Sequence, residues 1–312
     1  MSFSERLLNL CTAAKAYNNS IATDILTEGE ILPPSQDPWY VASGDLRFKQ
    51  PGDVLRIRHV PALVSIVEKS SAAYHILYRS TDSCGQPSCA VTTLFVPASL
   101  YYSQTGKAAV VSYQFAYNTA NVDCSPSLAL AGAMAKSEPN LGIKASTSLI
   151  TEMLSFGWIV NTPDHLGPTA AFGASMQGGH ATLDSLRAVH KLLRLQDGPD
   201  FNTAIWGYSG GSIGTCAAAE LQSSYASDVE ISATVLGGLV DDISADFDKL
   251  IKSPIAGTLI AFLVGITSQY PEARDYLQRR LVKDSKIEFM SVLNVQVTEA
   301  VRRFSGRHLL IL

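Results

Sequence analysis

The stretch Ala204-Ile205-Trp206-Gly207-Tyr208-Ser209-Gly210-Gly211 decides how this chain is read. Three apolar residues run into a Gly-x-Ser-x-Gly pentad, and an alanine-rich segment of helical character, 211–221, follows. In a sharp strand-to-helix turn, glycines two places before and two after the serine remove side chains that would collide across the turn. The serine is then held in a strained conformation, its hydroxyl raised above the sheet edge. Behind it, the first N–H groups of the helix face the place where an oxyanion would form. The pattern occurs a second time as Gly210-Gly211-Ser212-Ile213-Gly214. Ser212 falls inside the following helix, so Ser209 is the candidate nucleophile.

Working outward, strand and helix patterns alternate. Strands are predicted at 108–113, 158–161, 204–206 and 231–236, and helices at 146–156, 182–195 and 211–221. Units of this length predict an α/β fold, a mostly parallel sheet covered by helices on both faces. Upstream, 60–67, 73–78 and 90–96 carry β-like patterns. The last two are joined across the loop of Cys84 and Cys89 and predict an antiparallel hairpin at a sheet edge. Pro33, Pro34, Pro38 and Pro51 make 28–52 irregular, and 1–52 reads as a lead-in. Residues 247–280 are mainly helical and interrupt the alternation, as a cap over an active site would. The division expected is a lead-in at 1–52, a core at 53–243, a helical cap at 244–290 and a tail at 291–312.

Composition narrows the function classes. The 312 residues carry 24 Lys+Arg against 28 Asp+Glu, a net charge of −4, with 46% hydrophobic residues. Such a chain buries a large core rather than staying disordered. No basic surplus exists for neutralising phosphates, so nucleic acid is not an expected partner. The longest apolar run, 254–266, spans thirteen residues, whereas a bilayer-spanning helix needs about 20. It reads as a buried helix or as a wall against an amphiphile. Asn9 and Cys11 break the N-terminal apolar residues, so no secretory signal is expected at the start. Five cysteines are too sparse for a disulfide scaffold; Cys84 and Cys89 fit either a bridged turn or two free thiols. No P-loop, dinucleotide fingerprint or metal-ligand cluster is seen, so no cofactor and no metal are expected.

A second segment, Asn161-Thr162-Pro163-Asp164-His165-Leu166-Gly167, follows the strand at 158–161, at the carboxyl edge where open α/β sheets bind ligands. Together with Tyr113-Gln114, Asp123-Cys124-Ser125-Pro126-Ser127, Gly237-Gly238 with Asp241, and the Gly207–Gly211 pentad, it resembles the fungal secretory lipase family, the lipase A type of α/β-hydrolase. The likeness runs from about residue 55 to about 290. It implies Ser209 as nucleophile, the backbone N–H groups of Asp164 and Gly210 as oxyanion hole, and a lid-bearing cap at 245–290. The implied substrates are fatty-acyl esters, including triacylglycerols, with contact at a lipid interface. The family is secreted; without a visible signal, an intracellular place or a shortened N-terminus is the expectation.

A serine hydroxyl needs a histidine to take its proton and a carboxylate to orient that histidine. In this fold they follow the serine as acid, then histidine. Downstream of Ser209 stand Asp241, Asp242, Asp246 and Asp248, and the histidine His308. Asp242 and His308 are the candidate acid and base. The family places both further along the chain, in a section with no counterpart here, and it bridges the cysteine matching Cys124 to a partner that this sequence does not carry. The expectation is therefore a shortened hydrolase sheet. Three activities remain open: ester hydrolysis, a catalytically silent lipase-like fold, or acyl transfer to an alcohol of specialised metabolism.

Overall fold

Four strands carry the site, and their order follows from the residues that fill them. The computed structural model describes residues 2–26, 32–131, 141–239, 247–282 and 285–307. After α1 (Phe3–Leu7), α2 (Leu10–Tyr17) and β1 (Ala22–Ile25) come β2 (Val54–His59), α3 (Ala62–Ile66), β3 (Ser70–Thr81) and β4 (Pro87–Pro97). The alternating units are β5 (Ala108–Gln114), α4 (Pro126–Ala131), α5 (Leu141–Ser155), β6 (Ile159–Pro163), α6 (Ser175–Arg194), β7 (Phe201–Tyr208), α7 (Gly210–Tyr225) and β8 (Ala233–Gly237). Among the described residues they form one eight-stranded sheet in the order β1-β2-β3-β4-β6-β5-β7-β8. β6, β5, β7 and β8 run parallel, and β2–β3, β3–β4 and β4–β6 are antiparallel.

The non-sequential neighbours β6-β5-β7 arise because each parallel crossover passes through a helix. In β7, Phe201, Thr203 and Ile205 are buried while Asn202, Ala204 and Trp206 are less so, the period of two expected of a strand covered more heavily on one face. One apolar layer lies between the sheet and α1, α2, α6 and α7, with Leu7, Ile57, Ile76, Leu186 and Ile205 inaccessible to solvent. The other joins the opposite sheet face to α4, α5 and the helices after residue 247, through Phe95, Phe115, Tyr117 and Ile150.

Those later helices are α8 (Phe247–Leu250), α9 (Ala256–Ile266), α10 (Pro271–Arg279), α11 (Lys286–Met290) and α12 (Val297–Phe304). The apolar run at 254–266 is a buried helix. Gly257 of α9 touches α12, where an added Cβ would lie 2.1 Å from the Ala300 carbonyl oxygen. Ala300 and Phe304 face inward while Glu299, Arg302 and Arg303 pair outside. Burying a side chain such as Phe304 contributes roughly 1.5–3 kcal/mol.

Three sequence expectations change. Residues 60–67 are not a strand; the strand is β2, and Ala62–Ile66 form α3. The hairpin of β3 and β4 is not at an edge, because β2 and β1 continue the sheet beyond it. The lead-in is not wholly irregular, since α1 and α2 bury Phe3, Leu7, Leu10 and Ala14 and β1 pairs with β2. Within the segment 291–312, α12 packs on α9, Gly257 lying against Ala300. Cys84 and Cys89 are both free thiols.

Candidate active site

β7 delivers the chain into α7 through one residue, Ser209, whose backbone sits at φ 52° and ψ −126°. An L-residue pays for such a conformation with roughly 1–3 kcal/mol, and it persists only when the surroundings enforce it. Here the Ser209 N–H donates to the Gly237 carbonyl at 2.8 Å, tying the turn to the end of β8. A Cβ on Gly207 would lie 2.2 Å from Thr215 Oγ1 and 2.5 Å from the Gly211 carbonyl oxygen. One on Gly211 would lie 2.1 Å from the Gln114 carbonyl oxygen of β5. The two flanking glycines therefore let strand and helix meet. Ser212 lies in the first turn of α7, fully buried, with its hydroxyl donating to the Ser209 carbonyl at 2.5 Å. It is a helix residue, as its position in the sequence predicts.

The expected oxyanion donor at Asp164 is corrected. The Asp164 N–H donates to the Val91 carbonyl at 2.8 Å, continuing the β4–β6 ladder one residue past Pro163, so it is not offered to a ligand. Its carboxyl turns away into the protein, accepting from the Ser127 N–H at 2.9 Å and Ser127 Oγ at 2.5 Å. Burial raises that carboxyl to about 7, against the lowering influence of the two Ser127 bonds. Gly210, the other expected donor, opens α7 directly behind Ser209.

The residue that sequence reading missed is Asn118, in the loop after β5. A Cβ on Gly210 would lie 1.8 Å from Asn118 Oδ1, so this side chain rests against the residue behind the nucleophile. Asn118 has φ 42°, and its Oδ1 is buried without a hydrogen-bond partner. An asparagine in a loop leaving a central parallel strand was the available signal, because Asn tolerates the left-handed region.

The upstream histidines are engaged elsewhere. His165 is buried, its ring beside Gly178 and Gly214 where α6 crosses α7, and burial lowers it to about 4. The His180 ring lies 4.2 Å from that of Tyr225, tilted by 33°, and His190 stacks on Phe201 and bonds to Thr203 Oγ1. Asp241, Asp242, Asp246 and His308 lie outside the described residues. Among the described residues no cluster of metal-ligating side chains occurs, and no helix is long and apolar enough to cross a membrane.

Comparison with known proteins bears on the family and the fold. The secretory lipase family model matches residues 133–311. The chain is 50% identical, over 96% of its length and 62% of the relative's, to the probable trichothecene esterase SAT6 of Stachybotrys chartarum. It is 39% identical to the trichothecene C-3 esterase of Fusarium sporotrichioides, over 89% of this chain and 63% of that one. Among solved structures, Candida antarctica lipase A superposes with a TM-score of 0.78 at 26% identity, covering 88% of this chain and 63% of the other. The chain thus spans just over three fifths of the length of the relatives it matches. On the family match, the identities and the shared α/β-hydrolase sheet, this chain belongs to the secretory lipase family.

Proposed function

We propose that the chain carries the nucleophile of a serine carboxyl-ester hydrolase. The observation that supports it is the strained Ser209 at the β7–α7 elbow, enforced by the close contacts at Gly207 and Gly211. Strain of this kind has no packing benefit and is retained where it presents a reactive group. Ser209 Oγ adds to the ester carbonyl, a base takes its proton, and the C–O bond to the alcohol breaks as that proton reaches the departing oxygen. Water then releases the acid from the acyl-serine by the same steps. Gly210 N–H is the first oxyanion donor. The Asn118 amide nitrogen is the proposed second donor in place of the Asp164 N–H, on the ground that the Asn118 side chain rests against Gly210. The proton is taken by a histidine oriented by a carboxylate, which in this fold follow the nucleophile in the order acid, then histidine.

The substrate favoured by the relatives is an ester of a trichothecene-type alcohol rather than a triacylglycerol. Both leading relatives are named for trichothecene ester cleavage, one at half identity. The test is hydrolysis of an acetylated trichothecene beside tributyrin, by wild type and by Ser209→Ala. Turnover of the trichothecene ester that disappears in Ser209→Ala is expected; equal turnover in both proteins overturns the reading.

A second reading, a catalytically silent member of the family, is favoured by the placement of His165, His180 and His190 in contacts away from Ser209. It expects no turnover of either ester by folded protein.

A further inference from the structure

Beneath the elbow runs a line of buried polar side chains. Thr92 Oγ1 of β4 donates to Asn161 Oδ1 of β6 at 2.5 Å. Asn161 Nδ2 donates to Ser185 Oγ of α6 at 2.8 Å and to Ser112 Oγ of β5 at 2.9 Å. Ser112 Oγ in turn donates to Gln114 Oε1 at 2.7 Å. The Gln114 amide nitrogen then donates to Thr215 Oγ1 of α7 at 2.8 Å, with the carbonyl oxygens of Trp206 and Ser112 at 3.2 and 3.3 Å. Thr215 Oγ1 closes the line by donating to the Gly211 carbonyl at 3.0 Å. Thr92, Ser112, Gln114, Asn161, Ser185 and Thr215 are all inaccessible to solvent.

The line branches at Asn161, toward α6 and toward β5, and Gln114 is the member that carries it to the elbow. It contacts the elbow twice: its amide holds Thr215 and faces Trp206, and its backbone carbonyl touches Gly211. A buried polar network is retained at a net advantage only when its members are satisfied, and it then fixes one geometry where an apolar core would allow several. The geometry points to Gln114 as the positioning residue of the nucleophile elbow, locking β5, β7 and the first turn of α7 together so that Ser209 keeps its strained backbone. This rests on Ser209 being the nucleophile.

The test pairs two near-isosteric variants, Gln114→Met and Thr215→Val, with their double variant and the conservative Gln114→Glu, whose buried carboxyl is held protonated and keeps a donor. Two quantities are read: the limiting rate at which a fluorophosphonate labels Ser209, and hydrogen exchange of amides in 207–215 against those of β3 and β4. Loss of one such hydrogen bond corresponds to a factor of about 2–13. Gln114→Met is expected to slow labelling about tenfold at unchanged half-saturating probe and to speed exchange in 207–215 while β3 and β4 stay protected. Thr215→Val is expected to do the same to a smaller degree, the double variant adding little beyond Gln114→Met, and Gln114→Glu staying near wild type. Wild-type exchange in 207–215 for both single variants overturns the inference. So does an equal rise over the whole sheet, which marks a merely structural residue. If Gln114→Met does not fold, Thr215→Val decides by the same two readings. If wild type is not labelled at all, the nucleophile assignment has failed, and the exchange pattern still decides whether Gln114 fixes the turn.

Discussion

Replacing Gly211 by alanine is the sharpest perturbation of the elbow, because the atom it would strike cannot move aside. The new Cβ would lie 2.1 Å from the Gln114 carbonyl oxygen, 3.0 Å from its carbon and 3.2 Å from the Phe115 carbonyl carbon. All three are backbone of or next to β5, and β5 is paired on both sides, to β6 and to β7. Relief requires α7 to withdraw from the sheet by roughly 1 Å to restore ordinary contact. Overpacking of this kind costs about 1–3 kcal/mol. Stretching the Gln114–Thr215 bond adds about 1 kcal/mol, and better helix propensity returns up to about 1 kcal/mol. With a rigid neighbour the upper figure applies, so Gly211→Ala is expected to lose about 3 kcal/mol. A chain of this length unfolds with an entropy of about 0.65 kcal/mol/K, which makes that about a 5 °C drop in midpoint. The control is Gly85→Ala in the β3–β4 turn, where φ is +76° and nothing lies within 4 Å of the added Cβ. Only backbone strain of about 1 kcal/mol acts there, or about 1.5 °C. Both are read by thermal melting followed by circular dichroism. A Gly211→Ala shift no larger than that of Gly85→Ala would refute the close approach of β5 and α7.

Three further outcomes are expected. Ser209→Gly relieves the backbone at φ 52° and gains about 1 kcal/mol after the added chain entropy, whereas Ser209→Ala does not; equal melting points for the two would contradict strain at the nucleophile. The Asp164 carboxyl stays protonated in the fold up to about 7 but ionises from about 4 in the unfolded chain. Stability therefore falls as pH rises between those values, by up to about 4 kcal/mol, and Asp164→Asn flattens this slope in denaturant titrations at pH 4.5 and 7.5; an unchanged slope would show that another group sets it. Phe304→Ala empties a fully buried site between α12 and α9 and is expected to cost about 3–5 kcal/mol; a loss below 1 kcal/mol would mean that α12 is not part of the core.

The central parallel strands and the elbow were legible because local signals and global fold agree there: apolar runs of strand length, glycines where backbone meets backbone, and helices of the right period. The segment 60–67 was misread because Val60, Leu63 and Val67 are buried at helical spacing by α3, and a short apolar run does not reveal its period. The role given to the Asp164 N–H failed because ladder pairing to Val91 depends on register between distant strands, which the motif does not encode. Asn118 escaped for a related reason, since its approach to Gly210 spans about ninety residues and only folding brings them together. Gln114 stood in the sequence as a family landmark without a role, and the hydrogen bonds that give it one connect β5, β7 and α7.

The most direct measurement is the site of covalent attachment after treating folded protein with a fluorophosphonate probe, mapped by mass spectrometry of peptides covering 201–225. The expected result is one adduct, on Ser209, that is lost in Ser209→Ala and unaffected by Ser212→Ala. An adduct on Ser212, or folded protein that takes up no probe, would contradict Ser209 as the nucleophile.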